Sequence, residues 1–368
     1  MPTLNTVTPR VFIAATRQNE GKTTTSLGLL SALQQLYPRI GYIKPVGQRF
    51  VQIEEQQIDE DTVLMDQVYR LNCPLLDMSP IAVEPDFTRK YLQSSNNEAL
   101  VKKIIKAFDR VAWEKDFVLC EGSGHAGVGS VFDLSNAQVA KILDAKVIII
   151  SQGGIGKPID EVYLNQAVFE REGVEVIGVI LNKVTSDKIE YITEFARRGL
   201  KRKGLDLLGV LPHSHILSRP TVAAIQEELK ARPLNHSSQL NNLVASVVIG
   251  AMSAANVVSH FKRGALVITP GDREDIVLAA AATANETGRQ LAGMVLTDKI
   301  KPVNGVLRAI EKLPFPVLLA EEDSYEVASQ VHNLIVKTHA VDTEKITVIR
   351  DLIATHVDVN KILRALNL

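Results

Sequence analysis

The stretch VFIAATRQNEGKTTTSLGLL, Val11 to Leu30, decides how this chain is read. Val11–Ala15 is a short apolar run of strand type, Thr16–Glu20 is a small polar loop, and Gly21-Lys22-Thr23 opens a helical pattern. A phosphate cradle needs backbone N–H groups converging on anionic oxygens with a helix N-terminus behind them, and this layout supplies both. Gly21 permits close backbone approach, and in such a cradle Lys22 can neutralise charge on β- and γ-phosphates and the Thr23 hydroxyl can ligate Mg²⁺. The strict GxxxxGK[ST] pattern is broken at its first glycine, where this chain has Thr16. The bland alternative is an ordinary strand-to-helix turn with a capping threonine.

Working outward, short Val/Ile/Leu-rich runs recur to about Pro212: VFIAA, IGYIKPV, DFVLCEG, AKVIIIS, VIGVILNKV and LDLLGVLP. Each is apolar at consecutive positions, as suits strands covered on both faces. Helical patterns separate them, so the fold class is α/β, with a parallel sheet flanked by helices. Right-handed crossovers place the strand C-termini along one edge, where ligands sit. Beyond Pro212 comes RPTVAAIQEELKA, a helix with Pro220 in its first turn, then the polar loop PLNHSSQLNN. A second alternation follows, VASVVIG, GALVITPG, LAGMVLTD and FPVLLAEE, and predicts a smaller α/β domain. The last stretch, from Thr343, is amphipathic helix without a catalytic pattern. Two domains are expected, 1–212 and 213–368, the second including the helical tail.

With 368 residues and 46% apolar content, two sizeable cores are available. The 41 Lys and Arg nearly cancel the 42 Asp and Glu, which argues against a general nucleic-acid or membrane-surface binder. No apolar run reaches the roughly 18–20 residues of a bilayer span, and the N-terminus has no signal pattern. Cys73 and Cys120 form no CxxC or disulfide framework, so a reducing, cytoplasmic setting is expected.

The segments AATRQNEGKTTTSLGLLSAL, GYIKPVG, DFVLCEGSGH, VILNKV and GVLP, in that order, resemble the motifs of the dethiobiotin synthetase group, in the P-loop class shared with cobyrinic acid a,c-diamide synthases. The resemblance covers about residues 9–212 and implies ATP and Mg²⁺ as cofactors. It implies nucleotide contacts from Thr16, Asn19, Glu20, Gly21, Lys22, Thr23, Thr24 and Asn182, with the Asn182 amide reading the adenine edge. It assigns the metal to Thr23, Asp61 and Glu121, and catalysis to Lys22, Lys44 and Glu121, with Lys44 holding the substrate's carboxylated nitrogen. For Asp61 a helix-capping or solvated role stands beside metal contact. His125, in a Gly-rich loop, is either a substrate contact or a solvent-facing imidazole. Departures are Ala15 for a glycine, KPVGQRF for a serine-containing loop, and the segment after Glu121, which lacks the group's substrate-loop character; the biotin reaction itself is therefore not expected.

From about His213 the segments GAM, GDREDI, GMVLT and PVLLAEEDSYEVA resemble the DRTGG domain of long bacterial phosphate acetyltransferases, where it follows a dethiobiotin-synthetase-like domain. Asp298-Lys299 replaces that domain's Gly-Gly, which puts a backbone anion contact there in doubt. At the turn after Gly271, Asp272 is expected to cap a helix and Arg273 to offer a cationic fork. With Thr297 they form the candidate second-domain ligand or interface site; an internal Asp–Arg pair is the alternative. The long enzymes' acetyl-transfer domain has no counterpart within these residues, so acetyl-CoA/phosphate exchange is not expected.

Three functions follow. The first is an ATP- and Mg²⁺-binding regulatory module that senses nucleotide and a small carboxylate metabolite. It would be a homo-oligomer, dimer or higher, with an acyltransferase or other metabolic enzyme as partner. The second is an ATP-dependent carboxylate-activating ligase. The third is a partitioning-type ATPase switch, disfavoured because Arg17 stands where that class has a second lysine.

Overall fold

The computed structural model describes residues 4–94, 96–236, 238–334 and 336–368. Thr3 and its predecessors, and Ser237 of the polar loop, lie outside the described residues. The chain forms two compact units: residues up to Ser214 with Thr338–Leu368, and His215–Lys337.

In the first unit, β1 (Arg10–Ala15) is followed by helix α1 (Lys22–Gln34) and β2 (Ile40–Ile43). Short strands β3 (Val46–Gly47), β4 (Phe50–Ile53), β5 (Gln56–Asp59) and β6 (Ile81–Ala82) come next, with helix α2 (Glu60–Tyr69) after β5. The remaining strands are β7 (Phe117–Glu121), β8 (Lys146–Gln152), β9 (Val176–Val184) and β10 (Leu207–Pro212). Six of them make one parallel sheet in the order β10-β9-β8-β1-β7-β2. All six residues of β1 are buried, Val11–Ala15 as the unbroken apolar run requires and Arg10 with its guanidinium donating to Thr8 O and Leu143 O. From β1 the chain moves toward β2, and after β7 it returns past β1 to β8. That reversal opens a crevice at the C-terminal ends of β1, β7 and β8, where α/β sheets bind ligands. Between β2 and β7 the sequence hid two small pairings, β3 with β6 and the antiparallel hairpin β4–β5. The hairpin ends at Asp59, whose carboxylate accepts from Asp61 N–H and caps α2.

The second unit pairs β11 (Arg232–Pro233), β12 (Ser246–Ile249), β13 (Ala265–Pro270), β14 (Gly293–Thr297) and β15 (Val317–Leu319) in the order β11-β15-β14-β13-β12. Its central strands alternate between two cores: Ala265 and Val267 join Met294, Leu296 and Val317 on one face, Leu266 and Ile268 join Val295 and Leu318 on the other. Helices cover both faces, Glu274–Thr283 and Asn304–Ile310 on the first, Val222–Glu228 and Ser324–Asn333 on the second. Pro220 precedes this unit's first helix rather than entering it, because Thr221 is the cap and accepts from Ala224 N–H.

The tail differs from expectation. Its helices, Thr343–His356 and Val359–Ala365, belong to the first compact unit. Ile346, Ile349 and Ile353 are buried, and Ile353 fills a notch that Gly28 leaves in α1. Asp358 N–H donates to Leu208 O at 2.9 Å, and Val357 bridges Gly209, so the tail covers the open edge of β10. Helical periodicity shows that a face is buried, but not against which partner.

Candidate functional site

The β1–α1 connection is a built loop. Thr16 N–H donates to Ile150 O at 2.9 Å and its hydroxyl to Ser151 Oγ at 3.2 Å, tying the loop's start to β8. Asn19 and Gly21 have left-handed backbones, φ 61° and 95°. At Gly21 only glycine fits twice over: the φ is costly for other residues, and a Cβ would overlap Asn182 Nδ2. The end of β9 holds the loop from beneath. Asn182 Nδ2 donates to Glu20 O at 2.8 Å and Lys183 Nζ to Asn19 O at 2.5 Å. The Asn182 amide thus fastens the loop's backbone. Burial raises the Glu20 carboxyl above its ordinary range, with Lys183 opposing that rise. Arg17 pairs with Glu161 at 2.5 Å on the exposed rim.

Lys22 and Thr23 open α1, and Thr24 is half-buried in the same turn. Thr23 Oγ1 donates to Glu121 Oε1 at 3.0 Å, and Tyr42 OH donates to Glu121 Oε2 at 3.2 Å. Glu121, at the end of β7, is wholly buried. Burial raises its carboxyl above the usual range, Asp61 adds to that, and Lys44 and Lys22 oppose it. Burial lowers the Lys22 ammonium, while Glu121 pulls it back up. Lys44 ends β2's run and is gripped by Asp59 at 3.0 Å and by Asp61. Burial alone would lower Lys44, but Asp61, Asp59 and Glu121 outweigh it and hold the ammonium well above its ordinary value. Lys22 and Thr23 of α1, Lys44 just after β2, Asp61 of α2 and Glu121 of β7 thus come together at the loop. Their interior balance is three carboxylates, Asp59 included, against two ammoniums.

Asp59, Tyr42 and Lys183 are site residues that motif reading missed. Asp59 carried a local signal, since an aspartate just before a helical run is a cap. Tyr42 carried none, because an aromatic in a buried strand reads as core. Lys183 stood beside the expected Asn182. The Gly-rich loop after β7 is fixed by Asn136, whose Nδ2 donates to Ser123 O and His125 O, both at 2.7 Å. The His125 ring is exposed and accepts Gly127 N–H at 3.2 Å.

In the second unit, Arg273 is spent internally. It donates to Gly250 O at 3.1 Å, to Met252 O at 2.7 Å, and to both oxygens of Asp275 at 2.9 and 3.0 Å. The expected cap is corrected: Arg273, not Asp272, occupies the N-cap position, and no side chain caps that helix end. Asp272 is exposed, and the Arg–Asp pair forms with Asp275. Thr297 is buried, donating to Asp298 Oδ2 and sharing a hydrogen bond with Ser324, both at 2.8 Å. Asp298 and Lys299 take φ 63° and 56°, so the chain keeps the left-handed turn a Gly-Gly pair would favour, at a cost in backbone strain.

Among the described residues no helix is long and apolar enough to cross a membrane. A family model described as an AAA domain matches residues 9–221, and one described as a DRTGG domain matches 224–334. Phosphate acetyltransferase of Pseudomonas putida KT2440 is 30% identical over 360 residues, covering 94% of this chain and 50% of the relative. The enzyme of the same name from Nitratidesulfovibrio vulgaris is 26% identical, covering 95% and 50%. The chain spans about half the length of these curated relatives. Among solved structures, the MinC:MinD cell division complex of Aquifex aeolicus aligns with TM-score 0.37 and 14% identity, over 57% of this chain and 83% of that one. The CBS and DRTGG domains of the Clostridium perfringens pyrophosphatase regulatory region, complexed with diadenosine tetraphosphate, align with TM-score 0.27 and 20% identity, over 46% and 85%. With its phosphate loop built and the first model matching more than half of its 368 residues, the chain belongs to the AAA-domain family of P-loop proteins, carries a DRTGG domain after it, and corresponds to the N-terminal region of long phosphate acetyltransferases.

Proposed function

We propose that the first unit binds ATP with Mg²⁺ and that the chain is a nucleotide- and metabolite-sensing regulatory module, with slow or conditional turnover. The observation that carries this reading is the Thr23–Glu121 hydrogen bond of 3.0 Å at the foot of the Gly21-Lys22 loop. A hydroxyl and a carboxylate so placed are oxygen donors of the kind Mg²⁺ takes beside phosphates and water. Burial first, and then the neighbouring Asp61 carboxylate, raise the Glu121 carboxyl, and a cation would favour its charged form. Thr23, Glu121 and Asp61 would hold the ion, which would supply charge neutralisation on the phosphate oxygens. Lys22 would face the β- and γ-phosphates, and the N–H groups of residues 19–24 would complete the cradle.

Lys44 favours sensing over steady catalysis. A ligase needs that lysine to hold an anionic nucleophile, and two carboxylates already neutralise it. The carboxylate-activating ligase remains the second reading, because Lys22, Lys44, Thr23 and Glu121 are all present in one cluster. The partner of the module is proposed to be an acyltransferase or other metabolic enzyme, within a homo-oligomer.

Calorimetry with Mg²⁺·ATP tests the reading. The unaltered chain is expected to bind, and Lys22→Ala to bind at least about 10-fold more weakly, as loss of a charge-assisted contact implies. Equal binding by both would refute the cradle. ATP turnover that appears only with one added small carboxylate would replace the sensor by the ligase.

A further inference from the structure

We infer that a cavity of the second unit, at the N-terminal end of β12, binds a small carboxylate with a short aliphatic body. The inference deepens the sensing reading above, and rests on it for the ligand's role, by giving the metabolite a place. The cavity measures about 300 Å³, the lower end of the range of about 300–1,000 Å³ usual for small-molecule sites. Strands β12, β13 and β14 run parallel, and Arg273 and Thr297 stand at the opposite, C-terminal ends of β13 and β14. The two places are therefore separate.

The lining sets the chemistry. Among the described lining residues Arg219 carries the permanent positive charge, and no aspartate or glutamate lines the cavity. Arg219 is half-buried and makes no ion pair among the described residues. One cation facing no acid balances one negative charge, which a carboxylate carries and a phosphate exceeds. The guanidinium fork also matches the two oxygens of a carboxylate. His215, His332 and Ser246 add polar groups, while Val244, Val247 and Leu334 make the remaining wall apolar, which suits an aliphatic body.

The backbone around Arg219 is held before any ligand arrives. Its N–H donates to Ile216 O at 3.3 Å, Ser218 Oγ donates to His215 O at 2.9 Å, and Pro220 O accepts Val244 N–H at 2.8 Å. Turn and strand are thus tied together, and binding needs little further ordering. The wall also draws on both segments that join the second unit to the first. His215 follows the crossing at Ser214, and His332 and Val336 precede the crossing at Lys337. A carboxylate seated there contacts both segments, so its binding energy bears on the two connections through which this unit can act on the first.

Saturation-transfer NMR of butyrate with the full chain tests the inference. Butyrate is expected to bind about 10-fold more tightly than acetate, because two further methylenes are buried, and more tightly than inorganic phosphate. Arg219→Met keeps the stem, removes the charge and is expected to weaken butyrate at least about 10-fold. Val247→Asp, at an exposed position, sets a like charge in the cavity and is expected to weaken it as strongly. Amide hydrogen exchange of the unaltered chain is expected to slow around Arg219 and His332 when butyrate is added. No butyrate binding, equal binding by parent and variants, acetate or phosphate bound as tightly as butyrate, or slowed exchange only elsewhere overturns the inference. If the variants do not fold, the three-ligand comparison and the exchange measurement decide. These outcomes stand apart from the Mg²⁺·ATP calorimetry, whose failure refutes the functional reading and leaves the butyrate site in place.

Discussion

Replacing Gly21 by alanine tests the loop on which the site is built. Gly21 has φ 95°, and an added methyl would overlap Asn182 Nδ2. A left-handed backbone costs an alanine about 1–2 kcal/mol. Moving the Asn182 amide aside breaks its 2.8 Å bond to Glu20 O, a further loss of about 1 kcal/mol. Gly21→Ala should therefore destabilise the first unit by about 2–3 kcal/mol in urea unfolding followed by circular dichroism. Asn182→Ala removes the overlapping amide as well as the bond. The double variant should then cost about 1 kcal/mol less than the sum of the two singles, because one hydrogen bond is lost once rather than twice. Strict additivity would show that Asn182 does not sit beneath Gly21. A Gly21→Ala chain as stable as the parent would refute the left-handed turn itself.

Gly28→Ala should lower stability by about 1–2 kcal/mol in the same assay, since overpacking Ile353 outweighs the gain in helix propensity; a stabilised variant would mean the tail does not dock on α1. Glu121→Gln should be more stable than the parent at neutral pH when nucleotide and metal are absent. The sign follows from linkage: a carboxyl raised in the folded state takes up its proton more readily there than when unfolded, so its ionisation costs stability above the raised value. That cost fades as pH falls through the raised value toward the ordinary carboxylate range near about 4.3, and the two chains should converge there. A gap that widens on acidification in pH-dependent urea titrations would contradict the buried, charge-crowded Glu121.

Much of this protein was legible before any coordinates. The ten apolar runs became sheet strands because a strand buried on both faces needs consecutive apolar residues, a local signal. The cradle was legible because glycine, lysine and threonine at a strand-to-helix junction are chemically specific. Lys44, Asp61 and Glu121 were named through family motifs, and they meet at the loop. Their state was not legible. That Lys44 is neutralised depends on a hairpin, β4–β5, whose short polar strands give no periodic signal and which delivers Asp59 from fifteen residues downstream.

In the second unit Arg273 read equally well as a ligand fork or as half of an ion pair, and only the return of the 250–252 loop made it internal. The tail shows the same division. Its amphipathic pattern announced helix with a buried face, while the break into two helices and the partner, a notch at Gly28 more than three hundred residues earlier, came with the fold. By itself, then, the sequence determined the long apolar strands of the two sheets, their main helices and the phosphate loop, because these depend on neighbours within a few residues. Tertiary structure alone decided the counter-charges and the tail's place, because burial and ion pairing are set by groups that meet only when the chain has folded.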